Sequence, residues 1–330
     1  MSSLPARHAA LTALLLAGTV GLSSCAAFSD DGAAGSGSDD GTVSVAAAFY
    51  PIQFVAERVA GDRAAVEGLT APGQEAHDAE LSIRQTALLS EADLTVYLDG
   101  FQPTVDSAVE QGTGGTVLEA GEAVGLMEFA EGEGHSEDGH ADEEGEGHSE
   151  DDGHGHEDGD LDPHFWLDPL RMADLADAVA EELSEVDEEG AEEYAANAAA
   201  LRTELEALDA DFASGLASCE RDLVVVNHDA FGYLTRYGLE LEPIAGLSPD
   251  SEPTAADIAR LQDLIGDEGV TTVFSETLVS PETAETLAQD AGVEAAVLDP
   301  VEGLTDTTAD EDYLSLMRAN LDSLRAANGC

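Results

Sequence analysis

The sequence predicts an α/β fold with two lobes, each built on a parallel sheet flanked by helices, and one long helix that joins the lobes. Strand-like apolar runs alternate with helix-like segments in both halves of the chain, which is typical of parallel sheets. Residues 170–217, between the halves, contain no strand-like run and are rich in Ala, Leu and Glu at helical spacing. With 330 residues, of which 43% are hydrophobic, the chain is long enough to form two cores.

The first lobe is predicted to span residues 42–169. Pro51 lies at the first turn of its first helix and Gly61 ends that helix, which is the usual placement of these residue types. Strands that alternate with helices in this way pair in parallel, so helices should cover both faces of the sheet. The predicted strands are 42–49, 64–69 and 93–98, and the helices that follow them are 51–61, 79–92 and 101–112.

A helical linker at residues 170–218 is predicted to connect the lobes. The segment 183–190 interrupts it, and Asp187 is a candidate N-cap for the helix that follows. That helix has about thirty residues and would be roughly 40 Å long, enough to cross a two-lobed molecule. The second lobe, residues 219–330, resumes the alternation at Asp222 and closes with a helix at 307–327.

The N-terminus is predicted to be a targeting segment, with residues 1–24 forming a lipoprotein signal peptide. Arg7 and His8 precede an apolar run at 9–20 that is too short to span a bilayer as a mature helix. The following Leu-Ser-Ser-Cys resembles a lipobox, which implies lipid on Cys25 and an extracytoplasmic protein anchored to the outer face of the cell membrane. An ordinary signal peptide with an incidental Cys25 is the alternative. Residues 25–41, rich in Gly, Ser and Asp, are predicted to be a flexible stalk.

The composition is strongly acidic. Seventy-one Asp and Glu residues face 11 basic residues, all of them Arg, so the formal net charge is −60. Such a surface repels nucleic acid and anionic membrane surfaces, which argues against binding to either by charge, whereas it attracts cations. Solubility in concentrated salt, where charges are screened over a few ångströms, is the alternative explanation.

Two cysteines remain besides Cys25. Cys219 precedes a strand-like run and Cys330 follows the closing helix. A disulfide between them is permitted in an exported protein, and two free thiols are the alternative.

An acidic run rich in Gly and His lies between the first lobe and the linker. Residues 128–160 cannot bury enough apolar area to fold, so we expect a disordered loop. Imidazoles separated by Gly and acids allow weak, transient binding of Zn²⁺ without a fixed geometry. The alternative is a solvated insertion with no role in metal binding. The histidines of this loop are His135, His140, His148, His154 and His156.

Three other histidines fall where an α/β fold places ligands. His77 lies in a strand-to-helix loop, His164 precedes the linker, and His228 ends a strand and is predicted to begin a helix. Because ligands bind at the carboxyl ends of parallel strands, these positions, together with the strand-end acids Glu276 and Asp299, can converge. Three imidazoles and one carboxylate suit Zn²⁺. Each histidine taken alone is more typical of capping or packing.

The motifs around these residues resemble the metal-binding proteins of zinc and manganese ABC importers. The resemblance covers the chain from Thr42 onwards and implies two lobes bridged by a rigid helix, metal held in the cleft, delivery to a membrane permease and no catalysis. We expect a monomer. The matching segments are GQEAHDAEL (73–81), DPHFWLDP (162–169), NHDAFGYLTRYGL (227–239), FSETLVSPETAETLAQDAGV (274–293) and LDPVEGL (298–304).

The resemblance implies four metal ligands, which are His77, His164, His228 and Asp299. Glu276 is an alternative or transient fourth ligand, or else an acid that caps a helix or supports a ligand. Family members specific for zinc usually have His at the position of His228 and carry a loop rich in His and acids, and imidazole also favours Zn²⁺ over Mn²⁺. Since the ligand imidazoles must be neutral, we expect zinc affinity to drop below roughly pH 6.

Three other functions remain open at this point. One is a manganese-specific member of the same family. The second is a zinc hydrolase, although no HExxH-like pair is found and a fourth ligand closes the position that a catalytic zinc keeps open. The third is a surface adhesin whose metal only stabilises the fold.

Overall fold

The computed structural model of the chain describes residues 42–128, 161–249 and 251–330. These residues contain two four-stranded parallel sheets with flanking helices, so the predicted fold class is confirmed. The first sheet has the order β2-β1-β3-β4. Its elements are β1 Val43–Ala47, α1 Tyr50–Ala60, β2 Ala64–Gly68, α2 Ile83–Glu91, β3 Leu94–Tyr97, α3 Pro103–Gln111, β4 Thr116–Glu119 and α4 Ala120–Val124.

Two features of the first lobe differ from the prediction. Strand β4 and helix α4 were not predicted, because the edge strand has only four residues and none of them is buried. Helix α2 begins at Ile83, later than predicted, because Ser82 and Gln85 form a capping box that fixes the first turn there. The longer loop between β2 and α2 carries His77.

Two antiparallel helices connect the sheets. Helix α5 spans Pro169–Val186, a 3-10 turn follows at Glu188–Gly190, and α6 spans Ala191–Leu216. Asp187 caps the 3-10 turn and not α6 itself, since its carboxylate accepts from the Gly190 N–H. With 26 residues, α6 is about 39 Å long. It packs on α1 of the first lobe and on helix α9 (Tyr313–Asn328) of the second, so it contacts both.

The second sheet repeats the topology of the first, with the order β6-β5-β7-β8. The short segment after β5 differs from the prediction: only a 3-10 turn forms, at Gly232–Tyr237, and no α-helix begins at His228. The His228 backbone N–H donates to the Glu276 side chain, which fixes this residue outside a helix. The remaining elements are β5 Leu223–Val226, β6 Glu240–Pro243, α7 Ala255–Glu268, β7 Thr272–Ser275, α8 Glu282–Ala291 and β8 Glu294–Val297.

A continuous apolar core joins the two lobes. It runs from the first sheet through α5 and α6 to α9, and Trp166 is fully buried within it. The Trp166 ring lies 4.9 Å from the Phe49 ring and 5.3 Å from the Phe101 ring, both of the first lobe. Its Nε1–H donates to the Pro300 carbonyl of the second lobe, at 2.7 Å. Trp166 therefore fixes the strand-end loops of both lobes around His164, two residues before it.

Cys219 and Cys330 are joined by a disulfide, which decides between the two alternatives that the sequence left open. The bond holds the end of α9 against the start of β5, where the Glu220 and Arg221 N–H groups donate to the Asn328 carbonyl at 2.9 and 3.1 Å. Within the described residues, no helix combines the length and the apolar character needed to cross a bilayer.

Candidate metal centre

Four side chains from different parts of the chain converge between the lobes. His77 lies in the loop after β2, His164 just before the 3-10 turn that leads into α5, His228 after β5 and Glu302 after β8. One potential ligand atom from each lies within 4.8 Å of the other three. The Glu302 Oε1 atom is 3.6 Å from His77 Nε2, 3.7 Å from His164 Nε2 and 3.6 Å from His228 Nε2.

The converging atoms are buried and lack hydrogen-bond partners. This holds for Nε2 of each histidine and for Oε1 of Glu302. Buried polar atoms are nearly always hydrogen-bonded, so four unsatisfied atoms facing one point indicate a ligand that they share. A tetrahedral Zn²⁺ with bonds of 2.0–2.1 Å separates its ligand atoms by about 3.4 Å. The observed spacing of 3.6–3.7 Å from Glu302 is close to this value.

His164 is held by an acid two residues earlier. Its Nδ1 lies 2.8 Å from Asp162 Oδ1, and its backbone N–H donates to the same oxygen at 3.0 Å. Both residues are buried. A carboxylate on Nδ1 places the ring proton there, so Nε2 keeps its lone pair for a metal. Asp162 was not predicted, although its spacing from His164 in the sequence DPH could have indicated the contact.

His228 is held in the same way by Glu276. The two Glu276 carboxylate oxygens lie 2.7 and 2.8 Å from His228 Nδ1. Glu276 is therefore engaged with the ring atom opposite the cluster and is not one of the four converging side chains. The position of Glu276 agrees with the alternative prediction, an acid that supports a ligand, rather than with an auxiliary ligand.

His77 is less constrained than the other two histidines. Its side chain is 16% exposed, whereas those of His164 and His228 are fully buried. Its backbone N–H donates to Glu75 at 3.0 Å, and its ring packs against Phe101 with the centroids 4.5 Å apart.

The fourth converging acid differs from the prediction. Asp299, the first acid after β8, is not among the four side chains, and Glu302 takes that place. The Asp299 Oδ1 atom instead accepts from the Val301 N–H at 2.8 Å. Burial raises the pKa of Asp299 to about 6, although the Val301 hydrogen bond opposes this shift. The sequence did contain a signal for Glu302, because this acid lies three residues after Asp299 in the same strand-end loop, LDPVEGL.

The cluster is electrostatically coupled before any metal binds. Burial alone would lower the pKa of His228, but Glu276 and Glu302 outweigh burial and raise it to about 10. Burial would raise the pKa of Glu302, but His228 and His77 outweigh it and hold that pKa well below its usual range. Burial lowers the pKa of His164, against the opposing effect of Asp162. A proton on His228 therefore balances the Glu302 carboxylate, and an entering cation must displace it.

Several predicted residues lie outside the described part of the chain. They are the lipidation site Cys25 and the loop histidines His135, His140, His148, His154 and His156. The described residues on either side of this loop do meet, since Glu128 and Leu161 form an antiparallel bridge. The Tyr233 hydroxyl donates to the Asp162 carbonyl at 2.8 Å and accepts from the Met127 N–H at 3.0 Å. The loop thus begins and ends beside the acid that holds His164.

The sequence matches a known family over nearly all of the described chain. The family described as "ZnuA: Zinc-uptake complex component A periplasmic" matches residues 45–327. The chain belongs to this family. Its members are substrate-binding proteins and not enzymes, and the chain has the two parallel sheets and the long connecting helix expected from the resemblance.

Individual relatives agree with the family assignment. The chain is 34% identical over 296 residues to the zinc-binding lipoprotein AdcA of Streptococcus pneumoniae serotype 4, covering 87% of this chain but 56% of that protein. It therefore spans little more than half the length of the AdcA relatives. It is 32% identical over 311 residues to the high-affinity zinc uptake system protein ZnuA of Bacillus subtilis, covering 92% of both.

A solved relative shares the fold. The Zn(II)-bound ZnuA-like domain of Streptococcus pneumoniae AdcA superposes with a TM-score of 0.70 at 30% identity, covering 88% of this chain and all of that domain. The two-lobed architecture is therefore one in which a relative is known with zinc bound.

Proposed function

We propose that the chain is the extracytoplasmic zinc-binding component of an ABC importer, which captures Zn²⁺ and delivers it to a membrane permease. The ligands would be His77, His164, His228 and Glu302. The observation that carries the proposal is the convergence of four buried, unsatisfied ligand atoms within 4.8 Å of one another, with the Glu302 oxygen 3.6–3.7 Å from each imidazole nitrogen, close to the spacing in a tetrahedral zinc site.

The composition of the ligand set supports zinc over manganese. Imidazole is a borderline ligand that suits Zn²⁺, whereas Mn²⁺ prefers carboxylates, carbonyls and water. Three of the four ligand atoms are imidazole nitrogens. The set also supports capture over catalysis, because four protein ligands complete a tetrahedron and leave no position for a reacting water.

Attachment outside the cytoplasm is the second part of the proposal. The name of the Streptococcus pneumoniae relative, a zinc-binding lipoprotein, supports lipid on Cys25, and the name of the Bacillus subtilis relative supports a role in zinc uptake. A lipid anchor would keep the protein near the permease to which it passes the ion.

Metal analysis with competition tests the proposal. The chain purified without added metal, and lacking residues 131–159, should bind one Zn²⁺ reversibly and remain folded in chelator. Zn²⁺ should outcompete Mn²⁺. The deletion leaves the bridge between Glu128 and Leu161 in place and removes the loop histidines from the count. A preference for Mn²⁺, or unfolding in chelator, would contradict transport of zinc by this site.

We further propose that the loop at 128–160 gathers Zn²⁺ weakly and passes it to the four-ligand site. Support comes from the place where the described chain enters and leaves the loop, beside Asp162 and hence beside His164. Comparison of the full chain with the deletion variant tests this. The full chain should bind additional Zn²⁺ weakly and load faster at low zinc. Equal stoichiometry and equal loading rates would exclude a role in metal binding.

A further inference from the structure

The residue before Glu302 has an unusual backbone conformation. Among the residues that the structure describes, Val301 is the single non-glycine residue with a positive φ, at 60°. A β-branched side chain disfavours this left-handed region strongly, and such a conformation persists only where the surroundings enforce it. Val301 is fully buried, so solvent does not relieve the strain.

Three side chains hold the turn that contains Val301. Asp299 Oδ1 accepts from the Val301 N–H at 2.8 Å. Asn320 of α9 binds both backbone groups of Asp299, since its Oδ1 accepts from the N–H at 2.8 Å and its Nδ2 donates to the carbonyl at 2.6 Å. Trp166 donates to the Pro300 carbonyl at 2.7 Å. Each of the three residues before Glu302 is therefore fixed by a buried hydrogen bond.

The conformation of Val301 sets the direction in which Glu302 leaves the backbone. If φ returned from 60° to the ordinary negative range near −60°, the chain beyond its N–Cα bond would rotate by about 120°. Such a rotation would carry the Glu302 carboxylate away from the three imidazoles. The hydrogen bond from the Val301 N–H to Asp299 fixes the peptide plane between Pro300 and Val301, from which this rotation would start.

We infer that Asp299 is a positioning residue for the metal ligand Glu302: its carboxylate fixes the peptide plane before Val301, and from that plane the left-handed conformation of Val301 directs Glu302 at the histidines. The inference rests on the proposed zinc site and assigns Asp299 a role other than ligation. It accounts for a buried carboxylate that lies next to the cluster yet is not among the four converging side chains. Asn320 supports the same turn from α9.

Two substitutions of Asp299 separate positioning from ligation. Asp299→Asn keeps an oxygen that can accept from the Val301 N–H, whereas Asp299→Ala removes it. Loss of a group that orients a metal ligand typically costs about 10- to 100-fold in metal affinity. We expect a loss of this size in Asp299→Ala and less than about threefold in Asp299→Asn. Zinc affinity is measured by chelator competition, and Co²⁺ absorption reports whether the metal is still held in a tetrahedral, four-ligand site.

A glycine at position 301 provides a rescue. Glycine adopts positive φ without the penalty of a side chain, so Val301→Gly in the Asp299→Ala background should restore much of the zinc affinity and the tetrahedral Co²⁺ spectrum. Val301→Ala is the matched control, because it also removes buried methyl groups but keeps the Cβ that disfavours positive φ. If Asp299 had a purely structural role, Asp299→Ala would lower the thermal stability of the metal-free chain, and Val301→Gly would not restore zinc affinity.

The outcomes separate the inference from the proposed function. If the unmodified chain binds no Zn²⁺, or if Glu302→Gln binds as tightly as it does, the proposed site is wrong. The proposed site stands if the unmodified chain binds Zn²⁺ and Glu302→Gln binds it more weakly. If Asp299→Asn then loses as much zinc affinity as Glu302→Gln, Asp299 is a ligand and the inference is overturned. Unchanged affinity in Asp299→Ala also overturns it. Should Asp299→Ala not fold, the comparison of Asp299→Asn with Glu302→Gln still decides.

Discussion

The three histidines of the site are held in two different ways. His164 and His228, here called the deep pair, are fully buried, and each has a carboxylate on Nδ1. His77 lies on the loop between β2 and α2 and its side chain is 16% exposed. Among the residues that the structure describes, no carboxylate bonds to its Nδ1. The deep pair is thus oriented before a metal arrives, while His77 depends on the order of its loop.

The difference indicates how capture and release can share one site. Rigid, preoriented ligands reduce the entropy cost of binding, which favours high affinity. A ligand that is partly exposed on a loop can leave at a lower cost than a fully buried one, since local opening draws on the less stable parts of a fold. We therefore expect the deep pair to contribute most to affinity and the His77 loop to affect the rate of zinc release.

Removal of a deep ligand should have the largest effect. If a binding free energy of about 10–16 kcal/mol is shared by four ligands, His228→Ala should weaken zinc binding about a hundredfold to a thousandfold. His77→Ala should cost less, because water can reach that position and replace the imidazole. Chelator competition in the variant without residues 131–159 measures both. A larger loss for His77→Ala than for His228→Ala would reverse the comparison.

Protons should compete with zinc mainly at His228, one member of the deep pair. His228 has a pKa of about 10 before metal binds, so each Zn²⁺ must displace a proton from it at any pH below that value. Zinc affinity should therefore rise about tenfold per pH unit, or about a hundredfold between pH 6 and 8. The sequence predicted a drop below roughly pH 6, so a plateau in zinc affinity above pH 7 would favour that expectation. Calorimetry in buffers of different ionisation enthalpy counts the released protons.

The carboxylates behind the deep pair should have an intermediate effect. Glu276→Gln removes the charge that orients and polarises His228, and it should weaken zinc binding about 10- to 100-fold. The same change lowers the pKa of His228 and should reduce the dependence of affinity on pH. Asp162→Asn should weaken binding through His164. Glu282→Gln, an exposed acid on α8, is the control. Unchanged zinc affinity in both Glu276→Gln and Asp162→Asn would show that orientation of the two imidazoles by these carboxylates does not affect zinc binding.

The sequence predicted the fold and the three histidines because both follow from local rules. Strand and helix periodicity marks parallel sheets, and the carboxyl ends of parallel strands meet at one edge. Glu302 was missed because the strand-end rule selects the first acid, Asp299, while the structure uses an acid three residues later. That choice depends on Val301 in a left-handed conformation, and valine is a residue that avoids it. The pairing of Cys219 with Cys330 likewise depends on tertiary contacts.

The smallest effect is expected where the His77 loop is anchored. Gln102, which is 1% exposed, donates from Nε2 to the Ala76 carbonyl and to the Thr70 hydroxyl, both at 2.9 Å. Gln102→Leu removes both hydrogen bonds next to His77 and leaves a buried carbonyl without this donor. At about 1 kcal/mol, the cost corresponds to roughly fivefold weaker zinc binding.

The loss in Gln102→Leu should appear as faster dissociation of zinc in stopped-flow chelator experiments, because the loop would order less firmly around a bound ion while the deep pair is unchanged. Gln111→Leu is the matched control, since Gln111 is the exposed last residue of α3, whose N-cap is Gln102, and its side chain donates to the Ser107 carbonyl of its own helix. If Gln102→Leu released zinc at the rate of the control, the loop would be as rigid as the deep pair, and the contrast between the two halves of the site would be wrong.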